Sequence, residues 1–182
     1  TRASSEVSGL AERTWQTAAI PADALLPGLN TIAVEVHQYA PASSDISFDL
    51  ELTPDGTAPP PAPDPEPDPD PAPDPASYPV SGDVWRLNDS GTDLGTAWRA
   101  AGYDDSAWKS GPSQWGYGDG DEATVLSWGT NSRAKPITTY GRITFDAGDT
   151  SGVAGMALRA IVDDGAVVYL NGTEVWRYNL PT

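Results

Sequence analysis

The chain has 182 residues, 26 acidic and 10 basic side chains, and a formal net charge of −16. It has no cysteine and one histidine, His37, which excludes disulfides, thiolate zinc sites and any two-histidine metal site. No apolar run approaches the roughly 20 residues of a membrane-spanning helix, and no Lys/Arg stripe is present to bind nucleic-acid phosphates.

The chain opens without an initiator Met or a signal peptide and reads as a mature piece or an excerpt. Residues 13–20 are a weak strand candidate. Pro27-Gly28 marks a turn before residues 31–38, TIAVEVHQ, which alternate. Ile32, Val34 and Val36 point one way and Ala33, Glu35 and His37 the other. Residues 46–52, ISFDLEL, alternate more cleanly. Ile46, Phe48, Leu50 and Leu52 are expected in a core, with Ser47, Asp49 and Glu51 towards water.

Residues 54–79 form an acidic spacer. Within it, residues 59–75 read PPPAPDPEPDPDPAPDP, ten prolines in seventeen positions. Proline fixes φ and biases its predecessor away from helix, so alternating X-Pro favours extended polyproline II backbone. Asp64, Glu66, Asp68, Asp70 and Asp74 repel one another and stiffen it further. At ~3.1 Å per residue its reach is roughly 50 Å. Charge is spread evenly: net −5 over residues 1–53, −6 over 54–79 and −5 over 80–182. Such uniform acidity reads as solubility rather than a directed binding face.

Beyond the spacer, residues 137–145 and 156–162 are strand candidates, followed by 166–170, Asn171-Gly172 and 173–177. Asn-Gly between two β-rich runs is a strong hairpin signal, because a type I′ turn needs positive φ at both central residues. No long amphipathic helix is evident. Short β-runs punctuated by Gly, Pro, Asn and Asp predict an all-β sandwich or jelly roll.

Several of these runs carry a resemblance. Residues 161–175, IVDDGAVVYLNGTEV, look like the central hairpin of galactose-binding-domain-like jelly rolls, modules of large secreted or surface-attached bacterial proteins. Residues 103–108 (YDDSAW), 116–124 (GYGDGDEAT) and 136–140 (PITTY) resemble the family's early segment, Gly/Asp-rich loop and following strand. Residues 29–38 and 43–50 resemble its closing strands. The closing strands come first here, so the halves are in swapped order. The resemblance implies one jelly-roll sandwich from residues 80–182, the N-terminal half, followed by 1–53, the C-terminal half. Three arrangements satisfy this: a tandem array joined at Thr182 and Thr1, half-domains exchanged between chains, or closure within one chain. The first two give a head-to-tail polymer. Closure of both halves within one isolated chain would sink the filament reading and promote a carbohydrate-binding module.

The candidate sites are few. Asp119, Asp121 and Glu122 sit in a Gly-rich loop where carboxylates can gather around a structural calcium ion, although a solvated acidic loop is the plainer reading. Asp163-Asp164 reads as turn capping before Gly165. His37 has no nucleophile motif and reads as a strand histidine. Asn88 and Asn171 fit the N-glycosylation pattern, and Thr53, Thr57 and Ser77 are O-glycosylation candidates in and beside the spacer. Trp108, Trp115 and Trp128 fall in the family-like runs and read as structural, with Trp15, Trp85, Trp98 and Trp176 elsewhere.

The expected function is a structural repeat of an extracellular or cell-surface filament, β-sandwich beads joined head to tail by spacers. Its partners are further copies of itself and covalent glycans, with no nucleic acid, no membrane insertion, no cofactor and no catalysis. The rival is a carbohydrate-binding module of a secreted multidomain protein. Two or three coplanar, solvent-facing indoles would favour the binder; buried indoles would favour the bead.

Overall fold

The computed structural model describes residues 1–55 and 76–181. Eleven strands are formed: β1 Gln16–Pro21, β2 Leu29–His37, β3 Ile46–Asp55, β4 Val84–Asn88, β5 Lys109–Pro112, β6 Trp115–Tyr117, β7 Thr124–Val125, β8 Thr138–Asp146, β9 Gly155–Asp163, β10 Gly165–Leu170 and β11 Thr173–Tyr178. They make a five-stranded sheet, β1-β9-β3-β6-β7, and a six-stranded sheet, β11-β10-β2-β8-β4-β5. The only helical elements among the described residues are short 3-10 turns at Gly9–Arg13, Ala22–Ala24 and Ala97–Arg99. The protein is an all-β sandwich.

The two segments flanking the spacer share both sheets within one chain. β2 lies between β10 and β8, antiparallel to each. β3 lies between β9 and β6 in the same way. At the spacer, Leu52 N donates to Pro79 O at 2.9 Å, and Ser77 N donates to Asp146 O at 2.7 Å. At the chain ends, Ser4 N donates to Asn179 O at 2.8 Å. The Asn171-Gly172 turn has φ of 53° and 86°, as a type I′ connection between β10 and β11 requires.

The inner faces are those the alternation predicted. Ile32, Val34 and Val36 of β2 meet Ile46, Phe48, Leu50 and Leu52 of β3 in the main core. Trp85 and Trp115 complete it, with the Phe48 ring 5.8 Å and 4.9 Å from theirs. The outer face of β3 corrects the expectation of solvent, and that of β2 is covered as well. Ala33 and His37 are 0% and 4% exposed, and Ser47 and Asp49 are 0% and 3% exposed. Irregular segments cover them. Asp49 accepts from Ser81 Oγ beyond the spacer, and Ala33 lies under Trp98 in a second apolar cluster with Tyr140, Val167, Tyr169 and Leu180. The weak strand candidate at 13–20 is also shifted: the chain makes a 3-10 turn to Arg13 before β1 begins at Gln16.

Arg142, 2% exposed, pins the covering segment to β8. Its Nε donates to Asp105 Oδ2 at 2.7 Å, and its Nη1 donates to the carbonyls of Trp98 and Ala100. Gly141 beside it has no room for a side chain: a Cβ would lie 2.9 Å from Trp115 Cζ2 and 3.0 Å from Val34 Cγ1. Gly141→Ala is therefore expected to lower stability by about 1–3 kcal/mol through overpacking, measured by urea unfolding. An unchanged midpoint would show slack around Trp115 that this geometry denies.

Candidate functional site

The outer face of the six-stranded sheet carries a polar concavity. It is a cleft of about 510 Å³. Three strands position its floor, because directly opposed residues of antiparallel neighbours project to the same side. Glu35 of β2 is flanked by Val167 of β10 and Tyr140 of β8, and Ala33 by Tyr169 and Arg142. Arg99 enters from the covering segment.

These groups form one network. Glu35 Oε1 accepts from the Tyr169 hydroxyl at 2.6 Å and from Arg99 Nη2 at 3.2 Å. Glu35 Oε2 lies 3.3 Å from His37 Nε2. His37 Nδ1 lies 2.9 Å from Thr1 O and 3.1 Å from Thr138 Oγ1. The Arg99 guanidinium covers the Tyr169 ring at 4.1 Å. Burial alone would raise the Glu35 carboxyl. Hydrogen bonds from His37 and Tyr169, with the His37 and Arg99 charges, outweigh it and hold the carboxyl below its ordinary value. The same environment pushes the Tyr169 phenol up, through burial first and then its bond to Glu35. Chemically, the cleft offers a fixed carboxylate, a guanidinium and hydroxyls to a polar, uncharged or zwitterionic guest.

The sequence reading reached His37 but not its partners. Glu35 and His37 share a strand face, which alternation shows. Arg99 lies 64 residues from Glu35 and Tyr169 lies 134 away, and nothing in the linear order joins them.

The candidates from sequence fall elsewhere. Asp119, Asp121 and Glu122 come together with carboxylate oxygens within 4.8 Å of one another. Both Glu122 oxygens accept loop amides, from Asp119 N at 2.9 Å and Gly120 N at 3.0 Å, and Asp121 lies 3.8 Å from Arg13. Asn88 ends β4, its Oδ1 accepting from Ser90 N and Oγ. The Asn171 amide donates to Ala24 O at 3.2 Å and Asn30 Oδ1 at 2.8 Å. Thr53 and Ser77 are exposed at the two ends of the spacer. Thr57 and Thr182 lie outside the described residues, as does the Pro-rich run 59–75. Thr1 lines the cleft, close to Leu180.

Trp85, Trp98 and Trp115 are fully buried, and Trp128 is 39% exposed against Tyr117. Trp15 lies beneath the Arg159 guanidinium, Trp108 against Tyr103, and Trp176 stacks on Tyr178. The described residues contain no group of coplanar, solvent-facing indoles. No family model, curated protein or solved structure matches this chain.

Because the folded Glu35 carboxyl is depressed, its contribution is present above the unfolded value and is lost as pH falls through the lower folded one. Tyr169→Phe removes one donor. It is expected to cost roughly 1.5–3 kcal/mol near neutral pH, the range for a hydrogen bond to a charged group. The deficit should shrink in strong acid, where Glu35 is protonated in both proteins. Parallel denaturation curves from pH 7 down to acid check this; a deficit that does not change with pH would detach Tyr169 from the Glu35 charge.

Proposed function

We propose that this chain is a bead of an extracellular filament, in which residues 80–182 of one unit and 1–53 of the next build each β-sandwich and the acidic Pro-rich segment sets the spacing. One observation carries the reading: the two segments of the chain meet at two places, across the spacer and at the chain ends, each through a few short contacts. Leu52 and Pro79 flank the spacer and are joined by a 2.9 Å hydrogen bond; Ser4 and Asn179 meet at 2.8 Å at the chain ends. A spacer whose composition favours extended backbone has to turn back to connect neighbouring points on one bead. Joining two beads needs no such reversal. The meeting of residues 4 and 179 leaves room for a short covalent continuation, or for exchange between copies, with every strand ladder kept. The buried tryptophans also suit a bead. The extracellular setting rests on the family resemblance.

A second reading, a carbohydrate-binding module, is favoured by the polar Glu35–Arg99–Tyr169 cleft and by closure of both segments within one chain, the arrangement of a self-contained domain.

A two-copy fusion, Thr182 to Thr1, with a protease site in each spacer separates them. If units are shared, cutting both spacers releases a central domain of covalently joined 80–182 and 1–53, with the two outer halves dissociating or pairing with each other. If each copy closes on itself, the cut material stays one two-domain particle by native mass spectrometry. The second result, together with glycan binding lost in Glu35→Gln, would establish the binding module instead.

A further inference from the structure

The geometry points to a divalent-cation site, of the calcium class, between the N-terminal segment and the edge of the five-stranded sheet, made by Glu12, Asp45 and Asp119 and faced from the interior by Asp163. It is separate from the cleft and holds for either reading of function. It also differs from the exposed Asp119–Asp121–Glu122 loop, with which it shares only Asp119.

Glu12, Asp45 and Asp119 come from three places in the chain: the first 3-10 turn, the approach to β3 and the loop after β6. Their carboxylate oxygens lie within 4.8 Å of one another, and all three side chains are half-buried. Like charges this close repel unless a proton or a cation intervenes. The acids alone do not define a site; the side chain behind them does. Asp163 is 0% exposed, and neither carboxylate oxygen has a hydrogen-bond partner. Its register partner is Ser47, so the two side chains share a sheet face, and Ser47 Oγ donates to Asp119 Oδ2 at 3.1 Å. The Gln38 Oε1, in a side chain 1% exposed, is likewise unpartnered. A buried carboxylate without partners is costly and calls for a counter-charge.

The neighbouring cations do not supply that counter-charge. The Lys135 ammonium donates to the carbonyls of Ser43 at 2.6 Å and Ser44 at 3.0 Å and sits over the Tyr117 ring. Arg13 lies by Asp121, 3.8 Å away. Asp164 is already committed, accepting from the amides of Val7 and Tyr39, each at 2.7 Å. The donor set is oxygen only, which suits a hard cation with flexible coordination rather than zinc or copper. A bound ion would tie the N-terminal segment, which carries Glu12, to strands from both sides of the spacer.

The test uses the full chain, with Ca²⁺ as ligand and Tb³⁺ as luminescent probe, Tyr117 and Trp128 serving as sensitisers. The expected results are a melting temperature that rises with CaCl2 over EDTA, and sensitised Tb³⁺ emission that saturates and is displaced by Ca²⁺. Asp163→Asn should lose the calcium response and the Tb³⁺ signal. Asp121→Asn should keep both. If Asp163→Asn fails to fold, Asp45→Asn is read in its place with the same loss expected. No calcium response in the parent, or a response kept by Asp163→Asn, or one lost in Asp121→Asn alone, overturns the site.

Discussion

Everything in this fold depends on two strands from the first segment lying inside sheets built mostly by the second. β2 enters between β10 and β8, and β3 between β9 and β6. Remove either and two strands lose their ladder partners at once, leaving backbone N–H and C=O groups unpaired in the interior. The apolar rows follow the same constraint. Phe48 has no core until Trp85 and Trp115 arrive from beyond the spacer. Both segments therefore contribute to one core.

A second constraint is that part of each outer face is covered by irregular backbone. Covering segments bring polar groups inward, and each needs a partner. Arg142 meets that need on one side by donating to a carboxylate and to carbonyls of the covering segment. Asp164 meets it on the other by accepting the Val7 and Tyr39 amides. Glu35 and Asp163 show the two outcomes available to a buried carboxylate. Glu35 has donors and cationic neighbours and is held below its ordinary value, whereas Asp163 has neither and is driven above it. With 26 acids against 10 bases, the chain has too few cations to pair every acid.

Much of the sheet framework was legible in the linear order. Runs 31–38 and 46–52 alternate with period two because one face of each strand meets the core, and Asn171-Gly172 declared its hairpin through its conformational need. β4 to β7 were not read out, since Val84–Asn88 and the short strands after it owe their pairing to distant neighbours rather than to any local pattern. Ser47 and Asp49 do not face solvent as expected, because alternation shows that two faces differ, not that the polar one is wet. Of the sites, the carboxylates of the Gly-rich loop could be picked out by spacing. The Glu35 cleft could not, because Arg99 and Tyr169 reach it through sheet register.

The sequence by itself determined the all-β class, the inner face of the central strands, the hairpin turn and the presence of an acidic Pro-rich run. These follow from local chemistry: side-chain periodicity, positive φ at Asn-Gly, and proline's missing N–H and restricted φ. Only the tertiary structure decided that Glu35 meets Arg99 and Tyr169, and that Glu12, Asp45 and Asp119 converge. Those meetings depend on strand order and on which segment covers which face, and they are set by long-range pairing that local sequence does not encode.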